Sequence, residues 1–164
     1  YPMGHEWFQL YLNGTHISNA GVKEYDVAKK KISENVEKIY NSISLLLENL
    51  NLKMSDCFVM GFSQGGMMAF ELGQILQKQL AGLAIISSRI ISKEHKPNNA
   101  FLKTPIFISH GAQDAVLPIS NYNESLEVLK KYNYNYENYL IESDEHTMSQ
   151  ETITFFQNFI KKNI

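Results

Sequence analysis

Cysteine, arginine and proline are scarce in this chain of 164 residues, which has one cysteine, Cys57, one arginine, Arg89, and four prolines. A single cysteine excludes an internal disulfide and a thiolate metal site, and it fits a reducing compartment. No secretory signal is legible, so a cytoplasmic location is expected. The lone arginine, among many Asn, Lys and Ile, reflects codon bias in an AT-rich genome and points to no mechanism. The net charge of -2 comes from interleaved Lys and Glu, with no basic stripe, and nucleic acid is not an expected partner. The longest apolar runs, such as Leu45-Leu46-Leu47 and Leu83 to Ile86, fall far short of the roughly 20 residues that cross a bilayer. A soluble chain without a transmembrane segment is predicted. His5, His16 and His95 sit in polar surroundings without ligand spacing, so no metal and no cofactor are expected. The length suits one domain over residues 1–164.

What is present is an alternation of periodicities. The segment to about Gly21 mixes aromatics with Asn and Gly and reads as a loop. From Tyr25 to about Leu50, Val27, Ile32, Val36, Ile39, Ile43, Leu46, Leu47 and Leu50 recur at three- and four-residue steps, which predicts a long amphipathic helix. The apolar run Cys57 to Phe62 is too short for a helix and unbroken enough for a central parallel strand buried on both faces. Helix formers follow from Met67 to about Lys78, then a second strand from Leu83 to Ile86. A polar excursion from Ser87 to Lys103 leads to a strand over Pro105 to Ser109. Pro118 opens a helix to about Tyr132, a strand follows at Tyr136 to Ile141, and a last helix runs from about Ser149 to Lys161 with Ile153, Phe156, Phe159 and Ile160 inward. This order predicts an α/β fold, a mostly parallel sheet with helices on both faces. Ligands bind such sheets at the carboxyl ends of the strands.

Three residues at those ends carry chemistry. Gly61-Phe62-Ser63-Gln64-Gly65 matches G-x-S-x-G between a strand and a helix, where a nucleophilic serine sits on a sharp turn and the flanking glycines leave room for backbone. The Gln64 amide, opening the helix, can face an oxyanion on the substrate carbonyl. A serine nucleophile needs a base, and the base an orienting acid. Asp114 follows one strand and His146 the last, and the order Ser63, Asp114, His146 is that of α/β-hydrolases. Asp144 and Glu145 flank His146 but adjacent residues seldom reach back to the imidazole, so Asp114 leads. His110 is expected to be a structural hydrogen-bonding residue, Cys57 a buried and inert thiol, and Lys29 to Lys31 a solvated helix face.

The segments Gly61 to Gly66, Ser109-His110-Gly111-Ala112-Gln113-Asp114-Ala115-Val116-Leu117-Pro118 and His146-Thr147-Met148-Ser149 resemble the phospholipase/carboxylesterase family, which includes acyl-protein thioesterases. The resemblance implies an α/β-hydrolase fold and a Ser63, Asp114 and His146 triad. Trp7-Phe8-Gln9-Leu10 is similar to the family's tryptophan-aromatic-aspartate segment, with Gln9 in place of the acid. Met67 and Met68 read as core side chains with the softness to line an acyl pocket. Gln64, Trp7 and Met67 are accordingly the candidate oxyanion and substrate contacts. Ser87-Ser88-Arg89-Ile90 departs from the family's serine-glycine-aromatic-leucine segment near the acyl pocket, which leaves substrate preference open.

Family members also carry upstream strands and an H-G-x-G-type loop that supplies a second oxyanion donor, and no such segment precedes Trp7. Tyr1-Pro2-Met3-Gly4 reads like the middle of a chain. An N-terminally truncated hydrolase is therefore expected, with the strand Cys57 to Phe62 bared along one edge and prone to pair with a second copy as a homodimer or with a separate N-terminal piece. The expected function is hydrolysis of a small carboxylic ester or thioester through an acyl-enzyme. The alternative is a catalytically weak or inactive remnant that acts as a binding or assembly module, and a peptidase is a weaker third reading.

Overall fold

The computed structural model describes residues 5–164, so Tyr1 to Gly4 lie outside it. A small hairpin comes first, β1 (Tyr11–Leu12) and β2 (Thr15–His16), where a loop was expected. Its reason is local: Asn13 and Gly14 between the strands both have positive φ, 50° and 81°, the backbone that a two-residue hairpin turn requires and that Asn-Gly adopts most easily.

Helix α1 (Val22–Leu50) follows, then β3 (Phe58–Phe62), α2 (Gln64–Leu76), β4 (Gly82–Ile86), α3 (Asn99–Leu102), β5 (Ile106–Gly111), α4 (Ile119–Lys131), β6 (Tyr136–Ile141) and α5 (Gln150–Lys162). The last four strands form one parallel sheet in the order β3-β4-β5-β6. Alternation along the strands divides it into two faces. Leu83, Ile85, Ile106 and Ile108 join Phe70 of α2, Phe101 of α3 and Val128 and Leu129 of α4 in one core. Ala84, Ile86 and Phe107 point the other way, onto Phe159 of α5. Phe107, Phe156 and Phe159 stack within 6.3 Å of one another there. α1 lies outside α2 and shares with it a third cluster that includes Phe8, Leu12, Ile17, Ile32, Val36, Met67 and Leu72.

Among the described residues β3 is the edge strand, paired only with β4, which agrees with the expected bare edge and corrects the central position read from its apolar run, and its Met60 and Phe62 are 45% and 37% exposed. An unbroken apolar run specifies a strand that something covers, not which neighbour does so. The inward stripe of α1 is Ala28, Ile32, Val36 and Leu47, while Val27, Leu46 and Leu50 face out. At 3.6 residues per turn the stripe steps by four from Ala28 through Ile32 and Val36, and its first member is a small residue that stands out less in the pattern than Val27. α5 turns Thr152 and Phe159 inward, with Ile153, Phe155, Phe156 and Ile160 half-buried, and Phe156 and Phe159 of the expected inner face meet Phe107. Among the described residues no helix is long and apolar enough to cross a membrane.

Candidate active site

β3 ends at Phe62 and α2 starts at Gln64, so Ser63 alone turns the chain. It does so at φ 53° and ψ -124°, a conformation that L-residues adopt only where the surroundings enforce it. Its amide donates to the Ile86 carbonyl at 2.9 Å, and its own carbonyl accepts from the Gly66 amide at 3.0 Å. The tightness explains one of the two motif glycines: a Cβ on Gly61 would lie 2.0 Å from the Gly65 carbonyl oxygen. The other differs from expectation, since a Cβ on Gly65 meets nothing within 4 Å. The second crowded glycine is Gly66, where a Cβ would lie 2.6 Å from Ser88 Cβ.

Asp114 lies in the turn after β5, buried at 6% exposure. Its Oδ1 accepts from the amides of Val116 and Leu117 at 2.9 and 2.8 Å. His146 lies in the turn between β6 and α5. Its Nδ1 is 2.7 Å from Asp114 Oδ2 and its Nε2 is 2.9 Å from Ser63 Oγ. A carboxylate only accepts, so Nδ1 carries the proton and Nε2 is left to accept from the serine hydroxyl. The Phe62 ring packs against the imidazole with centroids 4.9 Å apart. Three strand ends, remote in sequence, thus bring Ser63, His146 and Asp114 into one hydrogen-bonded chain.

His110, at the end of β5, is buried beside this chain and stacks on Tyr122 at 5.6 Å. Its Nε2 is 2.8 Å from the Leu117 carbonyl, to which it must donate, and 3.5 Å from Asp114 Oδ2. Burial holds its imidazole below the ordinary value of 6.5, outweighing the Leu117 hydrogen bond and the Asp114 charge. A neutral ring that closes the acid turn is therefore its role, and the contact with Asp114 is not an ion pair.

The Gln64 amide opens α2, one of the first-turn amides that have no partner within a helix. Its side chain does something the sequence did not reveal. Oε1 accepts from the Trp7 amide at 2.9 Å, and Nε2 donates to the Phe8 carbonyl at 2.7 Å. Trp7 is thereby fixed beside the elbow through its backbone, while its indole is 42% exposed. Clefts of about 350 and 410 Å³ flank it, with Lys31 lining both. Met67 is placed in the core, 1% exposed among Phe8, Leu12 and Ile32, and not against an opening. Cys57 is half-buried, and burial together with Asp56 pushes its thiol up, away from the reactive thiolate. No group of His, Cys, Asp and Glu that could hold a metal occurs among the described residues.

Arg89 is a buried tie that composition concealed. It is 1% exposed and donates to the carbonyls of Ile17, Ser18 and Ala20 at 2.7, 2.6 and 3.3 Å, and to Glu124 Oε2 at 3.0 Å. A planar guanidinium satisfies several acceptors at once, and here it ties the segment before α1 to the end of β4. Only its isolation in the sequence, one arginine against fourteen lysines, could have drawn attention to it.

A parallel sheet with a serine on the strand-to-helix turn, and the acid and base on later strand ends, is the arrangement of an α/β-hydrolase. The chain belongs to the phospholipase/carboxylesterase family, whose profile matches residues 1–164. It is 28% identical over 158 residues to acyl-protein thioesterase 1 of Saccharomyces cerevisiae, covering 87% of this chain and 67% of that one. A segment of 98 residues is 34% identical to acyl-protein thioesterase 1 of Emericella nidulans, covering 54% of this chain and 40% of that protein. Among solved structures, SOBER1 of Arabidopsis thaliana superposes with a TM-score of 0.80 at 20% identity, over 96% of this chain and 73% of that one. The esterase PE8 superposes with a TM-score of 0.75 at 24% identity, over 99% and 72%. The chain thus spans about two thirds of the length of the Saccharomyces cerevisiae relative, and its match covers 40% of the Emericella nidulans one.

Proposed function

We propose that the chain is a serine hydrolase that cleaves a carboxylic ester or thioester through an acyl-enzyme. The observation that carries this reading is the unbroken contact from Ser63 Oγ through His146 to Asp114, at 2.9 and 2.7 Å. Ser63 Oγ attacks the acyl carbonyl while its proton passes to His146 Nε2, and the carbon–oxygen or carbon–sulfur bond to the leaving group breaks as His146 returns that proton to it. Water then attacks the acyl-enzyme by the same route, and Ser63 is regenerated with release of the acid. Asp114, held by two backbone amides, keeps the imidazole in the tautomer this requires. The Gln64 amide is the oxyanion donor. Kinship with proteins named acyl-protein thioesterase supports an acyl ester or thioester as the substrate class. The chemistry as written needs no cofactor.

A binding or assembly module is the second reading. It is favoured by the lining of the clefts beside Trp7, and of another of about 240 Å³ between α1 and Ile91 to His95, none of which includes Ser63, Asp114 or His146. Turnover of short-chain nitrophenyl esters by this chain, with a fluorophosphonate probe of Ser63, separates the two. Turnover and labelling that vanish in Ser63→Ala support the hydrolase. Neither turnover nor labelling in the native chain would overturn it.

A further inference from the structure

We propose that Ser87, at the end of β4, is a positioning residue for His146. This rests on the serine-hydrolase reading above. β4 contributes none of the three triad residues, yet its end touches the turns that carry two of them and pairs with the strand that leads to the third. The Ile86 carbonyl accepts from the Ser63 amide at 2.9 Å, and the Ser87 amide donates to Ser109 of β5 at 2.9 Å. Ser88 Oγ donates to the Ser63 carbonyl at 2.5 Å. Ser87 Oγ donates to the Thr147 carbonyl at 2.8 Å, one residue beyond the base.

The two sides of the His146 turn are held differently. On the near side β5 does the work: the Gln113 amide donates to the Asp144 carbonyl at 2.9 Å, and Gly111 lies so close that a Cβ there would be 2.3 Å from the same oxygen. On the far side, between His146 and the start of α5, the Ser87 hydroxyl is the hydrogen bond that ties the turn to another element among the described residues. Ser87 is 1% exposed, so water does not replace that bond. Its φ is 43°, in the left-handed region where a serine sits only if the surroundings hold it. The imidazole must span 2.9 Å to Ser63 Oγ and 2.7 Å to Asp114 Oδ2 at once, and Asp114 restrains only one end of the ring. A displacement of about 1 Å at a reacting group costs roughly 100-fold in rate.

The test compares the native chain with Ser87→Ala and Ser87→Gly. Glycine adopts a positive φ freely, so it removes the hydroxyl without adding backbone strain. In both variants kcat on a nitrophenyl ester is expected to fall about 10- to 100-fold with KM within about twofold. The low-field NMR resonance of the His146 Nδ1 proton is expected to shift or broaden while the thermal midpoint stays close to the native one. Native kcat and a native resonance in both variants would overturn the proposal. So would a loss of kcat that merely follows the loss of folded protein, with the resonance of the folded fraction unchanged. If the native chain shows no Ser63-dependent turnover, the hydrolase reading fails, and the resonance still decides whether Ser87 holds the imidazole.

Discussion

The Trp7 amide donates to Gln64 Oε1 at 2.9 Å, and the same side chain returns a hydrogen bond from Nε2 to the Phe8 carbonyl at 2.7 Å. Residues 57 apart in sequence are thereby joined as two strands would be, with a glutamine standing in for a backbone. The residue that opens α2 beside the nucleophile thus also anchors the chain's amino-terminal segment.

Replacing Gln64 with glutamate sets a carboxylate oxygen against the Phe8 carbonyl, and two acceptors repel. The amino-terminal segment is expected to detach in Gln64→Glu. Trp7 is the sole tryptophan, so its fluorescence should shift to longer wavelength as the indole gains water. Native emission would show that the clasp does not hold this segment.

Gly65 and Gly66 are adjacent and predict opposite outcomes. Gly66→Ala forces a Cβ to within 2.6 Å of Ser88 Cβ and 2.9 Å of the Gly61 carbonyl oxygen, an overpacking worth about 1–3 kcal/mol in urea denaturation. Gly65→Ala meets open space and replaces glycine in the first turn of a helix, so stability is expected to hold or to rise by up to about 1 kcal/mol.

Glu71 of α2 is wholly buried, with Oε2 accepting from the Tyr25 hydroxyl of α1 at 2.9 Å. Burial pushes its carboxyl from 4.5 up to about 7, against the pull of that hydrogen bond and of Lys29. The folded state therefore binds this proton more tightly than the unfolded state. Stability is full below the unfolded value, declines as pH rises from about 4.5 to 7, and is lower by about 3 kcal/mol above that window. Glu71→Gln removes this contribution, so the difference in unfolding free energy between native and variant chains should grow across the same window. A difference that stays constant with pH would place the carboxyl at its ordinary value.

Among the described residues one edge of β3 is unpaired, and the strand carries no lysine, glutamate or proline to discourage pairing. Sedimentation velocity of the 164-residue chain is expected to show concentration-dependent association that Met60→Lys suppresses, since Met60 is 45% exposed on that strand. A monomer at all concentrations would mean that the edge is not used in this way.

Most strands and helices of this protein were legible because their signals are local: short apolar runs in β3, β4 and β5, three- and four-residue steps, and G-x-S-x-G set between them. The hairpin at Asn13-Gly14 is equally local, but strands of two residues leave no periodicity to read. Chain order and strand-end placement singled out Ser63, Asp114 and His146 for the same reason, since a parallel sheet delivers every strand's carboxyl end to one side. What the sequence determined by itself is therefore the alternation of elements and the residues that stand at their ends. Only the tertiary structure decided that α1 turns Ala28 inward and Val27 outward, and that Arg89, Gln64 and Ser87 are ties between distant segments. Those are properties of pairs: a hydroxyl, an amide or a guanidinium acquires its role from the carbonyl it meets, and nothing in the local pattern says which carbonyl that is.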